Sequence, residues 1–232
     1  MAITKTGIVG CGAVSQGLLK ASESGLLTLP ISGITSRTKV KAQKFLSTLK
    51  KSPKYYTREE LIAKSDLIVE AASGDVVPEL ARETFESGKD LMVISIGALI
   101  DYSEIIELAK QHGCKLYAPS GAIAGLDGIK SASIGKLDKV TMITRKPLIA
   151  LEGSPYLVEK GISVLDFTEE KEIFYGTARE ACKGFPANVN VSAAVSFAGI
   201  GPDKTQIRII AQGERLEDGD VVKAGTIQSP DF

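Results

Sequence analysis

A short strand-like run, Ile3–Val9, leads directly into Gly10-Cys-Gly12-Ala-Val-Ser15-Gln-Gly17. No other stretch of the chain limits the fold so tightly. A strand that ends in Gly-x-Gly and turns at once into a helix presents bare backbone N–H groups, with the positive end of the helix dipole behind them. A pyrophosphate fits such a cradle. Gly10 permits the tight turn, and Gly12 lets backbone approach phosphate with no Cβ in the way. Ser15 stands at the third position of the G-x-G-x-x-G/A pattern, where it is small enough for close helix–strand packing. The pattern predicts dinucleotide binding through the N–H groups of Gly12, Ala13 and Val14. The alternative is a plain glycine turn between a strand and a helix.

Strands and helices then alternate. Expected strands are Ile3–Val9, Leu29–Ile34, Asp66–Glu70, Leu91–Ser95 and Lys115–Ala118. Expected helices between them are Ala13–Ser22, Val40–Leu49, Arg58–Ala63, Val76–Glu86 and Tyr102–His112. Strict alternation with short apolar strands predicts a doubly wound parallel sheet, a Rossmann domain, over residues 1–119. Past Pro119 the pattern changes. A helix of small residues is expected from Gly121 to Ser133. Val140–Thr144 and Gln206–Ala211 alternate as strands with one wet face. Ala178–Phe197 holds two helical stretches broken at Gly184-Phe185-Pro186. Residues 120–232 are therefore expected to form a second, smaller α/β domain on a more open sheet.

Composition narrows the partner. The 28 Lys and Arg balance the 28 Asp and Glu, so no basic excess draws nucleic acid or an anionic membrane. The apolar run Leu91–Ile100 is too short to span a bilayer. The N-terminus enters the first strand without room for a signal peptide. Cys11, Cys114 and Cys182 are odd in number and lack metal-like spacing, as expected in a reducing cytosol. Cys11 lies in the phosphate turn, where the helix N-terminus could activate its thiol, although a small buried side chain is the simpler reading.

The dinucleotide can be narrowed further. NAD-binding sheets usually carry an acid at the end of the second strand for the ribose 2′-OH. Here that position reads Ile34-Thr-Ser36-Arg37-Thr-Lys39, with no acid. A hydroxyl and a guanidinium at Ser36 and Arg37 suit a 2′-phosphate, which favours NADP over NAD. An ordinary basic loop is the rival reading. Ala72 and Ser73 after one strand, and Ser95 after the next, lie where parallel sheets bind ligands and leave room for a nicotinamide ribose. Tight turns explain them equally well.

Three further segments carry a resemblance. They are Pro119-Ser-Gly-Ala-Ile-Ala-Gly-Leu-Asp127, Thr144-Arg-Lys-Pro147 and Phe185-Pro-Ala-Asn-Val-Asn-Val191. With the glycine turn they resemble the L-aspartate dehydrogenase family over about residues 3–211. The resemblance implies a cytoplasmic, homodimeric oxidoreductase of two domains, a Rossmann domain followed by a smaller α/β substrate and dimerisation domain. It would transfer hydride from Cα of L-aspartate to NAD(P), giving iminoaspartate and then oxaloacetate and ammonia, or feeding the imine to NAD biosynthesis. It implies that Ala122 and Asn188 contact the nicotinamide end of the cofactor, with Asn190 the next candidate, on the substrate side. Asn188 reads independently as the N-cap of a following helix. Arg145 and Lys146 are candidates to hold a dicarboxylate, with Lys146 taken as the substrate-binding residue, and Lys204 is another; a solvated face is the simpler reading for any one of the three.

The chain also departs from the family. Where members carry Asp-Pro and then an acid/base His, this sequence reads Ala211-Gln-Gly-Glu-Arg-Leu-Glu-Asp-Gly-Asp220. The single histidine, His112, reads as a helix end. Glu214, Glu217, Asp218 and Asp220 are near the gap, but 217–220 read as a hairpin turn. Members continue past a Ser-Pro segment into a closing helix, whereas here Phe232 follows Ser229-Pro-Asp. Loss of that helix would uncover apolar surface. The catalytic acid/base is unassigned. Two alternatives stay open, a related NADP-dependent reductase with another substrate and a catalytically degenerate NADP-binding protein.

Overall fold

The structure, a computed structural model, describes residues 5–121, 123–186 and 190–212. The chain divides into two compact units, Met1–Pro119 and Ser120–Phe232.

In the first unit the elements run β1 (Thr6–Val9), α1 (Ala13–Glu23), β2 (Ile31–Thr35), α2 (Lys39–Leu46), β3 (Lys54–Tyr55), α3 (Arg58–Ala63), β4 (Leu67–Glu70), α4 (Val77–Glu86), β5 (Asp90–Val93), α5 (Ala98–Asp101), α6 (Glu104–Gln111) and β6 (Leu116–Tyr117). The strands form one parallel sheet in the order β3-β2-β1-β4-β5-β6. This is the doubly wound dinucleotide-binding order, with the direction of winding reversing between β1 and β4. Every residue of β1 and of β4 is buried, because helices cover both faces. In α4 the buried residues Val77, Leu80, Ala81, Thr84 and Phe85 recur at helical spacing and face the sheet. Phe85 is fully buried, and truncating such a ring to Ala costs about 3–5 kcal/mol.

The second unit contains α7 (Leu126–Ala132), β7 (Thr141–Pro147), α8 (Leu148–Leu151), α9 (Pro155–Lys160), β8 (Lys171–Thr177), α10 (Ala178–Gly184), α11 (Asn190–Ala198) and β9 (Gln206–Gln212). Its three strands are ordered β7-β9-β8, with β7 parallel and β8 antiparallel to β9. One face of this sheet is covered. Met142, Thr144, Ile207, Ile209 and Ala211 are buried in alternation along β7 and β9. Tyr156, Phe174 and Phe185 form an aromatic cluster with centroids 5.2–5.5 Å apart.

The expected alternation is present, with strand and helix ends displaced by a few residues. Five elements were not anticipated, namely β3, α5, α8, α9 and β8. The first four span only two to six residues, too few for a period to show. In β8 the register shifts between Glu172 and Phe174, and Ile173 and Phe174 are both buried in succession. The bulge erases the alternation that marks a strand. The helix expected from Gly121 instead begins at Leu126, because Gly125 is left-handed at φ +81°.

Candidate functional site

Because all six strands of the first unit are parallel, the ends of β1, β2, β4 and β5 share one edge, and the expected dinucleotide residues gather there. Gly10 has φ +110°, and its N–H donates to Thr35 O at 2.8 Å. A Cβ on Gly10 would stand 2.2 Å from Ala71 O, so the turn is packed against the end of β4. Gly12 differs, since its φ is −85° and a Cβ there would meet no atom within 4 Å. The space in front of it is open. The first turn of α1 has no side-chain cap and no acidic residue. The N–H groups of Gly12, Ala13 and Val14 therefore have no intrahelical partner and keep the dipole's positive end unneutralised. Gly12 and Ala13 are exposed, and so is Val14, at 48%. Ser15 is fully buried, and its hydroxyl donates to Ala71 O at 3.3 Å. The departure from Gly or Ala at the third position thus becomes a bond to the neighbouring strand.

At the end of β2, Tyr55 Oη donates to Ser36 O at 2.7 Å, and Ser36 Oγ accepts from Thr38 N at 3.3 Å. The Lys39 ammonium lies 5.4 Å from the centre of the Tyr55 ring. Arg37 is exposed. A hydrogen bond from Ser73, with the Arg37 charge adding to it, holds the Asp75 carboxyl below the usual carboxylate range. Arg37 and the loop after β4 are thus close enough to interact. Cys11 is half-buried, and desolvation pushes its thiol up rather than down, against an activated nucleophile.

Ala72 and Ser73 are exposed and Ser95 is half-buried. All lie on the same edge, where Ala72 and Ser95 are held by the last residue of the expected strand Asp66–Glu70. Glu70 is fully buried. Its carboxylate accepts from Ala72 N at 2.8 Å, Ser95 N at 2.9 Å and Ser95 Oγ at 3.0 Å. A charged residue closing an apolar strand just before small loop residues was the available signal. His112, the C-cap of α6, is exposed. It lies at the opposite edge of the sheet, because α6 runs back from the end of β5 to the start of β6.

In the second unit Lys146 occupies the last inward position of β7, in the row Met142–Thr144–Lys146 and beside Ala211. It is half-buried, burial pushes its ammonium pKa down, and it makes no ion pair among the described residues. Arg145 points to the other face, where its Nε bonds Glu170 at 3.1 and 3.2 Å. Lys204 lies just before β9, level with the start of β7 and about 20 Å along the strands from Lys146. The three cations therefore do not form one site. Asn190 is exposed at the start of α11. Ala122, Asn188, Glu214, Glu217, Asp218 and Asp220 lie outside the described residues. Among the described residues no helix is long and apolar enough to cross a membrane.

These features agree with comparisons to known proteins. Residues 10–119 match the homoserine dehydrogenase NAD-binding domain family, and residues 127–222 match the aspartate dehydrogenase C-terminal family. L-aspartate dehydrogenase from Methanosarcina mazei is 44% identical over 213 residues, covering 89% of this chain and 78% of that protein. The Bradyrhizobium diazoefficiens L-aspartate dehydrogenase is 36% identical, covering 89% and 74%. The crystal structure of aspartate dehydrogenase from Thermotoga maritima shares the fold, with TM-score 0.67, 22% identity and coverage of 92% and 80%. With the family's two halves matched in order and an NAD-type glycine turn at the head of the first, the chain belongs to the L-aspartate dehydrogenase family.

Proposed function

We propose that the chain oxidises L-aspartate with NADP, or less readily with NAD, to iminoaspartate, which water converts to oxaloacetate and ammonia. The observation that carries this reading is the uncapped N-terminus of α1 behind Gly10 and Gly12, in a chain 44% identical to an L-aspartate dehydrogenase. When bound, the nicotinamide supplies the hydride acceptor. The N–H groups of Gly12, Ala13 and Val14 would hold the pyrophosphate, and Ser36 and Arg37 the 2′-phosphate. Ala72, Ser73 and Ser95 would border the nicotinamide ribose, with Ala122 and Asn188 at the ring. Lys146 would hold a carboxylate of the substrate, and Asn190 is the further candidate on the substrate side. Holding donor carbon and acceptor ring in line is the main work of the protein in hydride transfer. A cytoplasmic homodimer belongs to the same proposal, supported by the family resemblance and by three cysteines that form no disulfide.

Incubation of the chain with L-aspartate and NADP⁺ is expected to yield NADPH, oxaloacetate and ammonia in equal amounts. Arg37→Asp should shift the NADP/NAD preference toward NAD by about tenfold or more; an unchanged ratio of kcat/KM values would remove Arg37 from the site. A second reading rests on one observation. The chain has a single histidine, exposed at the far edge of the first sheet, where it cannot serve the cofactor edge. On that reading the protein binds NADP with little or no turnover, and the same assay run beside a binding titration separates the two.

A further inference from the structure

The loops at the cofactor edge are tied to one another through the end of β4. Ala71 O receives the Ser15 hydroxyl and stands where a Cβ on Gly10 would have to go. Ala71 N donates back to Val9 O at 2.8 Å. One residue earlier, Glu70 sends its carboxylate sideways. One oxygen accepts from Ala72 N and Ser95 Oγ, and the other accepts from Ser95 N. The main chain repeats the link, since Ile94 N donates to Glu70 O at 3.1 Å. Where the two loops come close, a Cβ on Gly74 would lie 3.4 Å from Ala98 Cβ.

A carboxylate is expensive to bury without compensation. Glu70 is 0% exposed and makes no ion pair among the described residues. Among the described residues the cost is offset by three donors, and all three belong to the two loops. A shorter or apolar residue would close a strand equally well and would leave Ala72 N and Ser95 N without acceptors. The fold of the sheet does not require this carboxylate, whereas the shape of the edge does.

We propose that Glu70 is a positioning residue for the dinucleotide. Its carboxylate fixes the loop after β4 and the loop after β5 at the spacing that the nicotinamide ribose enters. It acts through Ala72 and Ser95, since a fully buried group cannot touch a ligand. The inference rests on the dinucleotide reading of this edge, and its test separates the two. NADPH is titrated by its own fluorescence into the full-length chain and into Glu70→Gln, which keeps the volume but turns one acceptor into a donor facing N–H groups. If the unaltered chain binds neither NADPH nor NADH, the dinucleotide reading fails before any variant is considered.

If it binds, Glu70→Gln is expected to raise the NADPH Kd about tenfold, while KM for L-aspartate at saturating cofactor stays within about twofold of the unaltered value. A merely structural carboxylate would lower the melting temperature and leave the Kd of the folded fraction alone; that result overturns the proposal. Should Glu70→Gln fail to fold, Glu70→Asp decides, because it keeps the charge but is one methylene too short to hold Ala72 N and both Ser95 donors at once. A rise in Kd of about threefold supports the brace, and an unchanged Kd overturns it.

Discussion

The two units present their candidate sites in opposite chemical forms. At the edge of the parallel sheet the ligand-facing groups are backbone, namely N–H donors at the start of α1, exposed because side chains are missing or small at Gly12 and Ala13, behind the turn that Gly10 permits. In the second unit the candidate is one side chain, the half-buried Lys146 at the end of a row of buried residues. A backbone site leaves its mark in spacing, because glycine is required where chain must approach chain or ligand. A side-chain site leaves no such mark. Lys146 is one of many lysines in the sequence, and only its strand position and burial distinguish it from Arg145 and Lys204.

The sharpest way to break this contrast lies within the glycine turn. Gly10 and Gly12 look equivalent in the sequence but do different work. Gly10→Ala forces a Cβ to 2.2 Å from Ala71 O at a left-handed φ. It should cost on the order of 3 kcal/mol of stability and abolish cofactor binding with it. Gly12→Ala meets no protein atom, so its unfolding free energy should change by less than about 1 kcal/mol. Its cofactor Kd should nevertheless rise about tenfold or more, because the new methyl occupies the space left for phosphate. Denaturant melts paired with NADPH titrations check both. Equal stability losses in the two variants would show that Gly12 is a turn residue only.

The outcome bears on what could be read from the sequence. The doubly wound fold, the strand and the helix flanking the glycine turn and the helix Arg58–Ala63 were legible, because apolar periodicity and glycine spacing encode them locally. Glu70 was not. Its role depends on Ser95, 25 residues away and brought alongside by the β4–β5 pairing. The second unit was legible only in part. The bulge in β8 hid a strand, and the small covered sheet depends on β9 inserting between strands that precede it in the chain. The separation of Arg145, Lys146 and Lys204 also needed the strand register, since the first two are neighbours in sequence yet occupy opposite faces.

Lys146 offers the next test, with effects of opposite sign on substrate binding and on stability. Desolvation lowers its pKa, so its folded form loses the proton at a lower pH than an exposed lysine does. For stability the neutral form is favoured. The contribution is full above the ordinary lysine pKa and is lost as pH falls through the lowered one, because the fold must then hold a desolvated charge. A bound carboxylate needs the ammonium, so KM for L-aspartate should rise as pH climbs through the lowered value. Lys146→Met should raise that KM about tenfold at neutral pH, flatten its alkaline limb, and leave the NADPH Kd and the melting temperature no worse. An unaltered KM would return Lys146 to the role of a strand-end residue.

The smallest expected effect belongs to a device that both units share. Thr57 caps α3 and Thr177 caps α10, each in a reciprocal box with the Glu three residues on. In the second unit Thr177 N and Oγ1 donate to Glu180 Oε2 at 2.7 and 2.9 Å, and Glu180 N donates to Thr177 Oγ1 at 3.2 Å. The bond from Thr177 N, then that from its hydroxyl, holds the Glu180 carboxyl below the usual range. A depressed carboxylate contributes stability above its unfolded pKa and loses it as pH falls through the folded one. Thr177→Ala removes the cap and should cost about 1 kcal/mol at neutral pH. The deficit should shrink toward acid, where the unaltered protein has lost the ionised Glu180 as well. Neither cofactor Kd nor aspartate KM should move, because the box orders the start of a helix and faces no candidate ligand group. Melts of the two proteins from neutral to acid pH would decide the matter. A gap that stayed constant with pH would assign the hydroxyl's contribution to its bond with Glu180 N alone and leave the carboxylate held by Thr177 N.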